Sequence, residues 1–379
     1  MKISLLAFFL TLSTYAVDVI NISYPTAHSG VHRTKIRGNS FFHSSVSNYN
    51  SNDSGRSISF DAKSSKGTQV IREGFYRVEA NVRAPSGSAN SFFVKVNDQF
   101  PKRWNIPVST ATLFRTVYSE VYLKKGENKI LFAPRENYTQ VADVRLTYVR
   151  SLSPAYSEYF NRGIMPAMER ARNPHLLSLV SPGALRAQYQ MTPEGSARVL
   201  WEKSLAAANQ YTLTYRVKFH EGFDFARGGK IHGVGPRAIL SGCQPGRTDG
   251  WSNRVNFGPG GKAYIYLYRQ DRPNRCGEAF YGAGTFRFQT NRWYTVALYT
   301  KVNSTAHSSD GEAKLYIDGK QIVHEDGIRF RGEVSSRSAV NKFLFSTFHG
   351  GADSSYSPRQ DGIADFDGIR VIRGDFPGQ

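Results

Sequence analysis

The chain has 379 residues, 49 of them Lys or Arg against 30 Asp or Glu, for a formal net charge of +19. That length is enough for two domains with full cores, and the plentiful Phe, Tyr, Gly and Thr with little helical periodicity argue against a helical protein and for an all-β one. The charge predicts a polyanionic partner: nucleic acid, anionic lipid or acidic polysaccharide.

Residues 1–16 have the order required of a secretory signal: Lys2, an apolar run over 3–12, then Thr14 and Ala16 as small residues before a cleavage site at Val17. No later segment reaches the roughly 20 apolar residues of a membrane span. The expected product is therefore secreted, with no membrane partner, and export also argues against nucleic acid. An acidic polysaccharide remains. A monomer is expected.

Residues 17–150 read as short strands over 75–84, 91–97, 117–123, 128–133 and 141–149, separated by APSGSAN, KKGEN and PRENYT. Strands and turns at this spacing predict a β-sandwich. The order YRVEANVRAPSGSANSFFVKVND, a Trp, then VYLKKGENKILFAPRENYTQVADVRLTYV resembles carbohydrate-binding modules with a galactose-binding-like jelly roll. That resemblance implies Trp104 and Tyr138 as platforms on which a sugar ring stacks.

Residues 151–177, punctuated by Pro154, Pro166 and Pro174, read as a linker with a short helix. A second β-domain is expected over 178–379. Its clearest strand alternates apolar Tyr211, Leu213, Tyr215, Val217 and Phe219 with polar neighbours. Further strands are expected over 184–189, 198–201, 293–301, 313–317, 342–348 and 366–372. Asp318-Gly319 marks a hairpin turn. Such a meander predicts a lectin-like jelly roll, a sandwich whose concave sheet forms a groove.

The chemistry concentrates in residues 225–268. Ser252, Arg254 and Asn256 fall on one face of a strand, and Tyr264, Tyr266 and Tyr268 on one face of the next. Cys243 and Cys276 flank this stretch. In an oxidising compartment they would close a loop around it, a contribution of about 3–4 kcal/mol in the chain-entropy model. Two cysteines make no zinc site and no HExxH occurs, so neither metal nor cofactor is expected.

The segments FDFARGGKIHGV, GWSNRVNF, AYIYLY and FSTFHGGADSSYSPRQDG, in this order, resemble polysaccharide lyase family 14, whose members cleave alginate or glucuronan on a β-jelly roll. The resemblance covers residues 178–379 and implies Lys230, Ser252, Arg254, Tyr266 and Tyr268 as functional positions. One departure is visible: Ile231-His232-Gly233 stand where the family often has Leu-Pro-Gly.

The residues themselves suit that chemistry. Removing the C5 proton of a uronate builds charge onto its carboxylate while the 4-O-linked sugar leaves, and stabilising that charge is the main task. Arg254 suits a carboxylate, Lys230 adds a second cation and Ser252 a hydrogen bond. Tyr266 and Tyr268 suit base and acid, with nearby cations favouring a phenolate. Tyr266 is the expected proton carrier; Lys230 as base stays open. Asn256, Tyr264 and His232 are expected to bind substrate, while His220 and His349 are left open. A non-catalytic lectin for acidic glycans is the alternative. A glycoside hydrolase would need two placed carboxylates, and no strand carries such an acidic cluster.

Overall fold

The computed structural model describes the strands within residues 19–61 and, from 72 to 378, all residues except 85–89, 98, 100, 109–113, 127, 135–139, 283 and 352. The segment 1–16 and Tyr138 lie outside the described residues. The chain divides into two compact units: Met1–Asn97 with Pro101–Ser151, and Asp98–Phe100 with Leu152–Gln379. The described residues contain no α-helix.

The first unit holds a six-stranded and a five-stranded sheet, antiparallel throughout. Gly74–Arg83 lies between Gln140–Arg150 and Arg115–Leu123. Its alternation buries Tyr76, Val78, Ala80 and Val82 against Phe92, Val94 and Ile130. Trp104 belongs to this core. Lys102–Asn105 exposes Lys102, Arg103 and Asn105 and turns Trp104 inward opposite Phe92, leaving 8% of the indole exposed. Strand alternation thus removes it as a stacking platform.

The second unit is a sandwich of two eight-stranded sheets, with the two-stranded ribbon of Met191–Thr192 and Gly195–Ser196 beside them. In one sheet, Gln210–Phe219 runs between Trp293–Lys301 and Gly362–Ile372. It turns Leu213, Tyr215, Val217 and Phe219 toward Ile231, Val255, Ile265 and Phe345 of the other sheet in a single core. At the sheet margin, Asp318 and Gly319 take left-handed φ values of 51° and 76° and join Gly311–Ile317 to Lys320–Ile328 as a hairpin.

Residues 151–177 do not form a free linker. Pro154–Glu158 pairs with Gly362–Ile372, Glu169–Arg172 pairs with Val199–Ala208, and Pro174–Leu176 is one 3-10 turn. Proline lacks a backbone donor and stops a helix, yet it is tolerated on a sheet edge, and edges are where this segment lies.

Candidate active site

Three neighbouring strands of the second sheet assemble the site: Gly229–Gly235, Gly250–Phe257 and Ala263–Tyr268. The last two pair with Ser252 opposite Tyr268, Arg254 opposite Tyr266 and Asn256 opposite Tyr264. Cross-strand partners share a face, so a row of phenols stands beside a row of polar groups. On the other side Lys230 pairs with Asn256 and Gly233 with Arg254. Gly233 is required there, because a Cβ would collide with the Asn253 carbonyl oxygen and lie 2.7 Å from Arg254 Cγ.

Between Lys230 and Gly233 the register slips by a β-bulge. A bulge reverses side-chain parity. Lys230 faces the groove, while Ile231 and His232 are both fully buried. The His232 ring lies 4.0 Å from Phe345, 4.4 Å from Phe366 and 4.7 Å from Tyr215, and its Nδ1 is 3.1 Å from the Ser346 carbonyl oxygen. His232 is therefore a core residue, packed away from the groove in which it was expected to bind substrate.

Ser252 is also displaced from its expected role. It is fully buried, donates to the Leu240 carbonyl at 2.7 Å and accepts from Arg254 Nη1 at 2.7 Å. With its hydroxyl so occupied, it orients Arg254 and has no proton to offer a ligand. Arg254 Nε is buried without a protein partner. Burial draws the Arg254 pKa down to about 10, against the opposing influence of Tyr268 and Tyr266, so it stays charged at neutral pH.

Lys230 Nζ sits 5.2 Å from the Tyr266 ring centroid and 5.3 Å from that of Phe348. Burial first, then the charges of Arg254 and Arg198, lower its pKa to about 8. Tyr266 moves the opposite way. Burial and Tyr268 raise its pKa, only partly opposed by the Gly277 backbone. The expected phenolate is thus disfavoured, because desolvation of the half-buried ring and the neighbouring Tyr268 both favour the neutral phenol. Tyr268 is buried and accepts a hydrogen bond from the Cys243 backbone N–H at 3.1 Å. Asn256 donates to the Tyr264 hydroxyl at 3.2 Å, and burial pushes that phenol up to about 12.

Cys243 and Cys276 form a disulfide. Gly277, next to Cys276, packs so closely that a Cβ would come within 2.8–2.9 Å of both the Tyr266 and Tyr268 rings. Arg198 and Phe348 complete the surroundings of Lys230, and sequence reasoning did not single out either. Phe348 stood in the FSTF segment, where alternation alone would have placed it on the groove face. His220 directly follows the strand Gln210–Phe219 of the opposite sheet, with Nε2 2.7 Å from Asp365; His349 is buried with Nε2 2.7 Å from the Asp224 carbonyl oxygen.

Residues 186–369 match the family model for polysaccharide lyase 14. The second unit carries a polysaccharide lyase 14 domain over these residues. By structure the chain is similar to the alginate lyase Aly36B, at 22% identity over 58% of this chain and 97% of that one, with a TM-score of 0.50. It is also similar to the marine PL-14 alginate lyase of Aplysia kurodai, at 22% identity over 59% of this chain and 100% of that one, with a TM-score of 0.49. At such identity the likeness to Aly36B speaks for the fold alone. No curated protein sequence matches the chain. The groove of this domain carries two cations, Lys230 and Arg254, beside the Tyr266 and Tyr268 phenols.

Proposed function

We propose that the protein is a secreted polyuronate lyase that cleaves alginate or glucuronan by β-elimination, with Lys230 as base and Tyr266 as acid. The observation that carries this reading is the juxtaposition of Lys230 and Tyr266, whose pKa values are displaced in opposite directions. Pairs of titratable groups driven apart in this way divide into acid and base. A lysine drawn to about 8 has a sizeable neutral fraction near neutral pH, whereas a tyrosine held above its ordinary value keeps its proton to give.

In the reaction so assigned, Arg254 engages the uronate carboxylate and stabilises the charge that develops as C5 loses its proton. The neutral Lys230 amine takes that proton. Electrons from the C5–H bond form the C4–C5 double bond, the C4–O bond breaks, and the Tyr266 phenol protonates the departing oxygen. Return of the proton from the Lys230 ammonium to the phenolate restores both groups. The products are an unsaturated uronate end and a new hydroxyl end.

The test is incubation with alginate and with glucuronan while following absorbance of the unsaturated product. Lys230→Ala and Tyr266→Phe are each expected to lower kcat by about 10²–10⁴-fold, with KM changed far less. Binding of both polymers without any rise in absorbance would replace the lyase by a lectin.

A further inference from the structure

Beyond the catalytic cluster, one end of the groove carries a second group of residues with the chemistry of a sugar site. Tyr281 follows the edge strand Glu278–Phe280. Because Ala279 pairs with Tyr266, Tyr281 continues on the groove face beside Tyr264, with ring centroids 4.8 Å apart. Tyr281 is 46% exposed, and Lys262 Nζ lies 4.0 Å from its ring centroid.

Tyr356 comes from the other flank, in the turn Ser354–Tyr356 that follows the strand Val340–His349. It is held from both directions. Gly351 lies so close that a Cβ there would clash with the ring. The Arg227 guanidinium sits 5.1 Å from the ring centroid, fastened to Ser355 Oγ at 2.9 Å and to Asp353 at 3.5 Å. The Arg227 that holds Tyr356 leads into Gly228, which packs against Phe257 and Gly258, and a Cβ on Gly258 would lie 3.3 Å from the Tyr264 ring, so Tyr356 stands on the flank of the groove next to Tyr264. At their base Asn256 Oδ1 is buried without a protein partner.

We propose that Tyr281 and Tyr356 flank an outer subsite for one uronate residue of the substrate chain, with Tyr264 and Asn256 beneath it and Lys262 taking its carboxylate. The exposed Tyr281 ring and the part-exposed Tyr356 ring suit the apolar surface of a sugar, the free amide oxygen accepts a hydroxyl proton, and the ammonium pairs with the acid group. The position is also apt. Tyr264 is two residues from Tyr266 along one strand, about 7 Å, roughly the span of one sugar ring. The proposal rests on the polyuronate reading and adds that chain length beyond the cleaved bond contributes to binding.

Steady-state kinetics on a ladder of oligouronates and on polymer test it with Tyr281→Ala/Tyr356→Ala. For oligomers long enough to reach the subsite, KM is expected to rise about tenfold, corresponding to about 1.4 kcal/mol, with the loss on KM rather than kcat. The gain in kcat/KM with chain length should flatten. Tyr281→Phe/Tyr356→Phe keeps the ring faces and is expected to restore most of the KM. An alanine pair that keeps the wild-type length dependence overturns the subsite, and so does a phenylalanine pair as impaired as the alanine pair. A wild-type protein without activity on any polyuronate would instead overturn the lyase reading.

Discussion

At the scale of single residues, the site is a contest between desolvation and charge. Lys230 and Tyr266 are neighbours in the same partly dry groove, and burial disfavours the charged form of each. For lysine that means a lower pKa and for tyrosine a higher one. One environment thereby prepares a base and an acid. Because the neutral amine is the active form, kcat/KM should climb as pH rises through about 8, the value to which Lys230 is drawn. Arg198 contributes to that value, so Arg198→Gln should move the climbing limb of the pH profile to higher pH. A profile unchanged in Arg198→Gln would count against Lys230 as the titrating base. Arg254, Tyr266 and Tyr268 were legible as a group because strand alternation is local and survives in the fold. The direction of the tyrosine shift was not legible, since it depends on how much water each ring keeps.

At the scale of elements, the bulge in Gly229–Gly235 decides what faces the groove. Regular alternation after Lys230 would have returned His232 to the groove side, and that is how the sequence reads. One extra residue sends the imidazole into the core, where burial pulls its pKa to about 3. The unfolded chain then binds a proton near pH 6.5 that the native chain refuses until about 3. Stability therefore falls as pH drops through that window and is highest above it. His349, drawn to about 4 mainly by burial, has the same sign. His232→Phe should flatten the pH dependence of the denaturant midpoint between about pH 7 and about pH 5; an unchanged slope would assign it elsewhere. The same strand needs Gly233 for a different reason, since the Asn253 carbonyl and Arg254 occupy the space a side chain would take. Gly233→Ala is expected to destabilise by about 1–3 kcal/mol and to lose activity as Arg254 is displaced, checked by chemical denaturation beside the lyase assay.

At the scale of the whole molecule, the all-β class and most strands could be read from alternation and turns, including Ala184–Tyr189 and Trp293–Lys301 at their observed bounds. Less legible were features set by partners distant in sequence. The segment 151–177 looked like a linker until the Gly362–Ile372 and Val199–Ala208 strands gave its pieces an edge to pair with. Trp104 looked like a ligand platform until Phe92 appeared opposite it. Tyr281 and Tyr356 approach Tyr264 from separate flanks, a meeting no local pattern announces. The formal charge of +19 acts at longer range still. Raising salt from ~0.05 to ~0.5 M should lower kcat/KM on polymer by about tenfold, as screening shortens the reach of the field. A rate insensitive to salt would mean that capture of the chain owes little to charge.

The cystine between Cys243 and Cys276 has a bearing on where such a catalyst can work. Its two ends sit against the pair of phenols, one through the Cys243 N–H on Tyr268 and the other through Gly277 on both rings. Opening it with a dithiol, which gives up two electrons and two protons and becomes a cyclic disulfide itself, should slacken that brace. Turnover should then decline in step with the appearance of free thiols, ahead of any loss of β-sheet ellipticity. An enzyme built this way would be sluggish in a thiol-rich cytosol and reach full speed only in oxidising surroundings.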